Sequence, residues 1–412
     1  MRYDQATLPN GLQIIGEHNP DAQSVALGFF ARTGSRDETP EISGVSHFLE
    51  HMMFKGTERR SPEDVNREFD EMGANYNAFT SEENTVYFGA VLPKFQGQLV
   101  DLLADMMRPT LRTSDFDTEK KVILEEIAMY KDRPQSVLFD VARETYHHGH
   151  PLGNSVLGST ESITALERDR MLEYFERRYA PNNLLLVLTG NYDWTGAVAQ
   201  ATAASATWQP ADAPRALSAP EPYAYERMVA DPKRDRVYIA LVAPAPAAQT
   251  AERFAAEVLA AAVGGGEGSR LYWALVHGGL ADSVGLWYDS SDGAGAFYTY
   301  ASCSPERVQE VLQIIRATLE TAQRDGLSED ELARARRKIA SGLMLGAETP
   351  MGRLTAVGFD WVYRKAVMPL NEVADHYLAV TPTEVAKLLQ TQPFATLTVV
   401  VLGPLAEATP GL

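Results

Sequence analysis

The chain has 412 residues, a length typical of two to three domains, and 45% of them are hydrophobic while 22% are charged. Lysine and arginine number 37 against 55 aspartates and glutamates, which gives a formal net charge of −18. This balance argues against nucleic acid or an anionic membrane as the main partner, because phosphate binding needs basic side chains. The single cysteine, Cys303, excludes an internal disulfide and a cysteine-based zinc site.

The N-terminal stretch lacks the apolar core of a signal peptide and contains acidic residues early. No stretch reaches the ~18 consecutive apolar residues that a membrane-spanning helix needs. The sequence therefore predicts a cytoplasmic location.

Hydrophobic periodicity predicts alternating strands and helices in the first half of the chain. In chain order these are the strand QSVALGFFARTG, a helix over residues 44–55, a hairpin over residues 74–92, the helix FQGQLVDLLADMM, a helix that begins near Asp115, the helix SITALERDRMLEYFERRY and the strand NLLLVLTGN. The second half predicts the strand DRVYIALVAPAP, the helix ERFAAEVLAAAV, the strands DSVGLWYDSS and GAFYTYASCS, the helices RVQEVLQIIRATLETAQRDG and EDELARARRKIASGLMLG, and the strand ATLTVVVLG.

The two halves share the order and lengths of their elements, which indicates a duplication. We expect an α+β fold with two homologous domains, each a mostly antiparallel sheet packed with helices. Residues 207–226 are rich in proline and alanine and predict a linker between a catalytic domain, 1–206, and a homologous non-catalytic domain, 227–412. The alternative is that strands and helices recur in this order by chance, as they can in α/β chains.

The stretch HFLEHMMFKGT, residues 47–57, carries two histidines and a glutamate within five positions. Residues four apart share a helix face, so His47 and His51 present both imidazoles on one side. Two such imidazoles bind Zn²⁺, and Glu50 beside them is placed to take a proton from a water that the metal activates. The alternative interpretation is a solvent-facing helix with two histidines, so the zinc site depends on a third ligand.

The helix DFDTEKKVILEEIAMY offers Glu119, Glu125 and Glu126. Glu119 and Glu126 are seven residues apart and share a face, whereas Glu125 points about 100° away. Val122 and Ile123 lie between them, so this face is expected to be buried, where a carboxylate needs a metal or another partner. We expect Glu126 to be the third ligand and Glu119 to orient it or a histidine. An exposed helix with ordinary charge pairs is the alternative.

Four stretches carry a resemblance to a known family: HFLEHMMFKGT, NAFTSEENTVYF, VILEEI and PLGNSVLG. In order and spacing they resemble the inverzincin (HxxEH) zinc metallopeptidases, the family of pitrilysin, insulin-degrading enzyme and the mitochondrial processing peptidase. The chain is most similar to the zinc-bearing catalytic subunits among the short two-domain bacterial members. The resemblance implies Zn²⁺ held by His47, His51 and Glu126, with Glu50 as general base and Glu119 as its helper.

The same resemblance places a substrate beside Asn77, Ala78 and Phe79. In this family the corresponding segment pairs with an extended peptide through backbone hydrogen bonds, which suits extended or unfolded substrates. The alternative is an edge strand with only a structural role.

One departure from the family concerns the stretch ALVHGGLADSV. Self-sufficient members have an arginine and a tyrosine there that stabilise the scissile carbonyl, but this chain has Leu275 and Asp282. We therefore expect a heterodimer in which a homologous partner lacking HxxEH supplies both groups. The alternative function is a non-catalytic scaffold or peptide-binding subunit with a structural zinc.

Overall fold

The computed structural model describes residues 1–405 and contains two β-sheets. The strands of the first sheet are β1 (Arg2–Thr7), β2 (Gln13–His18), β3 (Val25–Ala31), β4 (Asn75–Thr80), β5 (Thr85–Val91) and β6 (Leu184–Gly190). The strands of the second sheet are β7 (Tyr225–Ala230), β8 (Val237–Pro244), β9 (Ser283–Ser291), β10 (Ala294–Cys303) and β11 (Thr398–Gly403).

Helices precede and follow the strands in both halves of the chain. In the first half they are α1 (Val45–Met53), α2 (Pro62–Met72), α3 (Gln96–Met106), α4 (Thr113–Lys131), α5 (Pro134–His147), α6 (Thr160–Ala165), α7 (Arg168–Arg178) and α8 (Trp194–Ala204). In the second half they are α9 (Arg253–Gly264), a π-helix (Tyr272–Val276), α10 (Val308–Asp325), α11 (Glu329–Gly346), α12 (Pro350–Arg364), α13 (Leu370–Ala379) and α14 (Pro382–Leu389). Within residues 1–405, none of the helices combines the length and the apolarity that crossing a membrane requires.

The two sheets repeat one topology. The first has the strand order β1-β2-β6-β3-β5-β4 and the second β7-β11-β8-β10-β9. All neighbouring strands are antiparallel except β2 with β6 and β7 with β11, which are parallel. Strands β7, β8, β9, β10 and β11 therefore correspond one by one to β2, β3, β4, β5 and β6. This confirms the predicted α+β fold with two similar, mostly antiparallel sheets.

The chain divides into two compact units, and each takes segments from both halves of the sequence. Unit 1 contains Met1–Ala128, Asn154–Ala216 and Gly346–Met368, and unit 2 contains Met129–Gly153, Leu217–Leu345 and residues 369–405. The sequence-based boundaries, 1–206 and 227–412, therefore leave α12 out of unit 1 and α5 out of unit 2. Periodicity identifies the apolar face of a helix but not the sheet that this face covers.

The first sheet is covered on both faces. One face of β3 contributes Val25, Leu27 and Phe29 to a core that also contains residues of α1, α3 and α4. Its other face contributes Ala26 and Phe30 to a second core, formed with α12. In unit 2, α5 packs on β8, β10 and β11 in the same manner. Strand β3 is thus buried on both faces, which explains its nearly continuous apolar sequence.

Several local features differ from the sequence-based prediction. The helix predicted over residues 162–179 is two helices, α6 and α7, with Leu166 in extended backbone between them. The predicted linker 207–226 includes the start of β7. Strands β1, β2 and β7 and helices α2, α5, α8, α12, α13 and α14 were not predicted.

Candidate metal centre

The start of helix α1 is held by Gly44 and by the buried carboxylate of Glu38. Gly44 has a φ of +90°, and a Cβ there would lie 2.6 Å from the carbonyl oxygen of Leu157. The Glu38 carboxylate accepts hydrogen bonds from the backbone N–H groups of Gly44 at 2.6 Å and Ser46 at 2.7 Å. These donors lie at a helix start, where no backbone partner is available, so Glu38 fixes the first turn. The sequence analysis missed Glu38 because it lies six residues before Gly44, outside the usual capping positions.

Two aromatic rings place α1 beside α4. Phe48 and Phe116 stack with ring centroids 4.8 Å apart and an interplanar angle of 11°. Both side chains are buried in the core of unit 1. This contact fixes the spacing of the two helices that carry the candidate ligands.

The structure brings together the three predicted ligands. Their ligand atoms all lie within 4.8 Å of one another, and Glu126 Oε2 is 3.7 Å from His47 Nε2 and 3.4 Å from His51 Nε2. Tetrahedral ligands about 2.0–2.1 Å from zinc are separated by roughly 3.3 Å, so these distances suit one ion. Two imidazole nitrogens and one carboxylate oxygen are also the donor set that a catalytic zinc uses. The residues present therefore fit Zn²⁺ with one position left open.

Burial and charge give the two histidines opposite pKa shifts. Burial, helped by His51, lowers the pKa of His47 to about 3, so its imidazole is neutral near pH 7. Burial also opposes protonation of His51, but the hydrogen bond to Glu119 and the charges of Glu126, Glu119 and Glu50 outweigh it and raise the pKa. His47 is therefore ready to ligate, whereas the raised pKa of His51 means that protons compete more strongly with a metal ion there.

Glu119 lies behind His51 and contacts it directly. Its Oε1 is 2.8 Å from His51 Nδ1, and its side chain is only 5% exposed. Burial opposes ionisation of Glu119, but its hydrogen bonds to His51 and Lys55 lower the pKa overall. Of the two kinds of partner predicted for Glu119, the structure shows contact with a histidine. The expectation of a buried face between the glutamates was wrong for Val122, which is 43% exposed, whereas Ile123 is fully buried.

Glu50 lies on α1 beside the three ligands and is held by the first sheet. The Thr80 hydroxyl donates a hydrogen bond of 2.6 Å to Glu50 Oε2. Burial raises the pKa of Glu50, and the Thr80 hydrogen bond and His51 oppose this shift. Thr80 was not singled out by the sequence analysis, although it directly follows the segment predicted to bind substrate.

The predicted substrate residues lie on β4, one of the two edge strands of the first sheet. Within residues 1–405, β4 pairs with β5 alone, so its other edge has no strand beside it. Asn77 is exposed, and its side-chain oxygen accepts a hydrogen bond from the Ala78 N–H at 2.9 Å. The Phe79 ring lies 6.2 Å from that of Phe88 and 6.3 Å from that of Phe359.

The two positions that depart from the family lie in unit 2. Leu275 is fully buried within the π-helix. Asp282 forms an ion pair with Arg236 at 3.2 Å. Neither side chain offers a hydrogen-bond donor. Within residues 1–405, unit 2 contains no group of three metal-binding side chains like the one in unit 1.

The fold and the ligand geometry together define a two-unit α+β protein with a candidate zinc site in unit 1. A family profile described as Insulinase (Peptidase family M16) matches residues 13–160, and one described as Peptidase M16 inactive domain matches residues 165–339. The chain belongs to peptidase family M16, which confirms the resemblance drawn from the sequence motifs.

Relatives and solved structures agree with this assignment. An uncharacterized zinc protease of Streptomyces coelicolor is 33% identical over 412 residues, covering 98% of this chain and 90% of that protein. The uncharacterized zinc protease YmxG of Bacillus subtilis is 30% identical over 94% of this chain and 96% of its own length. A protease from Helicobacter pylori has the same fold, with a TM-score of 0.89, 20% identity and coverage of 97% of this chain and 99% of its own.

Proposed function

We propose that this chain is a zinc-dependent endopeptidase and the catalytic subunit of a heterodimer. The observation that carries the proposal is the cluster of His47, His51 and Glu126, with Glu50 beside it on the same helix as the histidines. Three ligands and an adjacent carboxylate favour an open catalytic site, because a structural zinc is usually closed by four protein ligands. The relatives named as zinc proteases support the same metal and reaction.

The residues of the site have three proposed roles: metal ligand, general base and orienting group. His47, His51 and Glu126 would hold the ion, which would lower the pKa of a bound water to about 7 and polarise a carbonyl. Glu50 takes the proton from the attacking water and passes it to the leaving amine. Its raised pKa makes it a stronger base than an exposed glutamate. Glu119 accepts the hydrogen bond of His51 Nδ1–H, which would keep His51 Nε2 directed at a bound ion.

The open edge of β4 supports extended peptides as substrates. A peptide that pairs with Asn77, Ala78 and Phe79 would use backbone hydrogen bonds, which are independent of sequence. Thr80 follows directly on the same strand and contacts Glu50, so a peptide on β4 would lie beside the proposed base. This arrangement suits unfolded proteins and oligopeptides of varied sequence.

The need for a partner rests on Leu275 and Asp282. A buried leucine offers no hydrogen bond, and an aspartate would repel the negative charge that develops on the scissile carbonyl. Asp282 is also engaged with Arg236. A homologous subunit that lacks HxxEH would supply the missing arginine and tyrosine.

A Glu50→Gln variant tests the catalytic proposal. Bound zinc and peptide cleavage are measured for the wild type and for E50Q, with E125Q as a control because Glu125 is exposed on α4. We expect E50Q to keep its zinc and lose cleavage by at least about a hundredfold, while E125Q keeps both. Wild-type cleavage in E50Q would contradict the role of Glu50. If the wild type binds zinc but cleaves no peptide, either alone or with a partner subunit, the non-catalytic scaffold alternative is favoured.

A second assay tests the heterodimer. Cleavage of an unstructured oligopeptide is measured for the isolated chain and after addition of a homologous subunit without HxxEH. We expect weak cleavage by the isolated chain and a large increase on addition of the partner. Full activity of the isolated chain, shown to be monomeric by light scattering, would contradict the need for a partner.

A further inference from the structure

Glu119 is shared by two groups on opposite sides of its carboxylate. Oε1 is 2.8 Å from His51 Nδ1, and Oε2 is 2.6 Å from the ammonium nitrogen of Lys55. The Glu119 side chain is 5% exposed and that of Lys55 is 36% exposed. A buried carboxylate is costly unless both oxygens have partners, and Lys55 is the partner that neutralises its charge.

The backbone of Lys55 is held in a corner that joins α1 to the start of α4. Arg112 donates a hydrogen bond of 2.7 Å from its guanidinium to the Lys55 carbonyl. The next residue, Gly56, has a φ of +93°, and its carbonyl accepts a hydrogen bond from the Thr110 N–H at 3.2 Å. A Cβ at position 56 would lie 2.6 Å from the Arg60 carbonyl oxygen, so glycine is required. The side chain of Lys55 therefore extends from a fixed point.

We propose that Lys55 is a positioning residue of the metal centre, which sets zinc affinity by holding Glu119 against His51. This inference rests on the proposed zinc site. Lys55 binds one oxygen of Glu119, so the other oxygen faces His51 Nδ1. That hydrogen bond orients the imidazole ring with Nε2 towards Glu126, as the ligand set requires. Lys55 thus acts on the ion through two intermediate side chains and touches neither the ion nor the substrate.

Neighbouring charges support this assignment. Lys55 is four residues after His51 and two residues past the end of α1, next to Glu119 on α4. Without the Lys55 ammonium group, Glu119 Oε2 would be buried with no positive charge beside it. The Glu119 carboxylate would then turn towards solvent. Because Lys55 is about one third exposed, solvent screens the pair and a moderate effect is expected.

Zinc affinity of the full chain, measured by competition with a chromophoric chelator, tests the proposal without any need for catalysis. The variants are K55M, which keeps the apolar stem, K55R, which keeps the charge, and K121M, a matched control because Lys121 is exposed on α4. We expect K55M to bind zinc about fivefold to tenfold more weakly, and K55R and K121M to stay within about twofold of the wild type. Equal affinities for K55M and K121M would overturn the proposal.

A double-variant cycle separates positioning from general damage to the fold. If Lys55 acts through Glu119, then K55M changes zinc affinity in the wild type but not in an E119Q background. The same loss in both backgrounds would overturn the proposal. Should K55M not fold, K55Q replaces it in the cycle. If the wild type binds no zinc, the proposed function itself fails, and this outcome is distinct from a null effect of K55M.

Discussion

The Thr80 hydroxyl donates a hydrogen bond of 2.6 Å to Glu50 Oε2 and so joins the last residue of the edge strand β4 to the motif helix α1. The contact fixes one oxygen of the proposed base next to the strand that would hold a substrate. It also opposes the increase in the Glu50 pKa that burial causes. Thr80 would therefore link the proposed substrate-binding strand to the proposed base.

Removing this hydroxyl should affect turnover more than binding. In the complex that cleaves peptide, we expect T80V to lower kcat about tenfold and to leave KM within about twofold, because the base is misplaced while the β4 backbone is kept. T80S should restore most of kcat, and zinc content should not change. Steady-state kinetics with a fluorogenic peptide measure both constants. An increase in KM with an unchanged kcat would contradict this role.

The raised pKa of Glu38 predicts that the free energy of unfolding depends on pH. Burial raises its pKa to about 7 from an ordinary value of 4.5, despite the opposing hydrogen bonds from Ser46 and Gly44. Between these two pH values the folded chain binds more protons at Glu38 than the unfolded chain does. The stabilising contribution is therefore complete below about pH 4.5 and is lost as the pH rises through about 7.

An E38Q variant tests this dependence because glutamine does not titrate. The variant leaves one N–H at the start of α1 without an acceptor, at a cost of about 1–3 kcal/mol. We expect the urea midpoint of the wild type to exceed that of E38Q by more at pH 5 than at pH 7.5. A difference that grows with pH would contradict the raised pKa.

A buried ion pair holds α12 in unit 1. Arg353 donates hydrogen bonds of 2.7 Å and 2.6 Å to the two carboxylate oxygens of Glu17, and the side chains are 6% and 3% exposed. Removal of one partner leaves a buried charge, so R353M should destabilise unit 1 by about 3–5 kcal/mol. The double variant E17Q/R353M should lose less than the sum of the single losses. Urea unfolding measures all three variants.

The exposed pair of Arg170 and Glu173 is the matched control for this cycle. Its side chains are 66% and 67% exposed, and the two residues are three apart on α7. Solvent screens such a pair, so R170M should leave the urea midpoint unchanged. Equal effects of R353M and R170M would show that Arg353 does not hold α12 in place.

Local sequence signals predicted the elements around the site well. Strand β3, the β4–β5 hairpin and α1 follow from apolar periodicity and from the polar turn SEEN between the two strands. The histidines and Glu50 lie within one helical turn, so their proximity follows from helix geometry alone. The pairing with Glu126 was predictable because the spacing of the glutamates on α4 left few candidates.

Long-range contacts could not be read from the sequence. Helices α5 and α12 were not predicted from the sequence, and the sheets that they cover are chosen by packing within the folded units. Glu38, Lys55 and Thr80 are ordinary polar residues in the sequence and gain their positions only when distant segments meet. Val122 is the opposite case: it is an apolar residue that the sequence predicted to be buried, but it is exposed in the folded chain.

The number of zinc ions bound per chain tests the central claim most directly. After dialysis against a weak chelator, zinc is counted in the wild type, E126Q and E125Q, two variants with the same chemical change at adjacent positions. We expect one zinc per chain in the wild type and E125Q and almost none in E126Q, because only the Glu126 carboxylate faces His47 Nε2 and His51 Nε2. Equal zinc in E126Q and E125Q, or no zinc in the wild type, would contradict the metal centre.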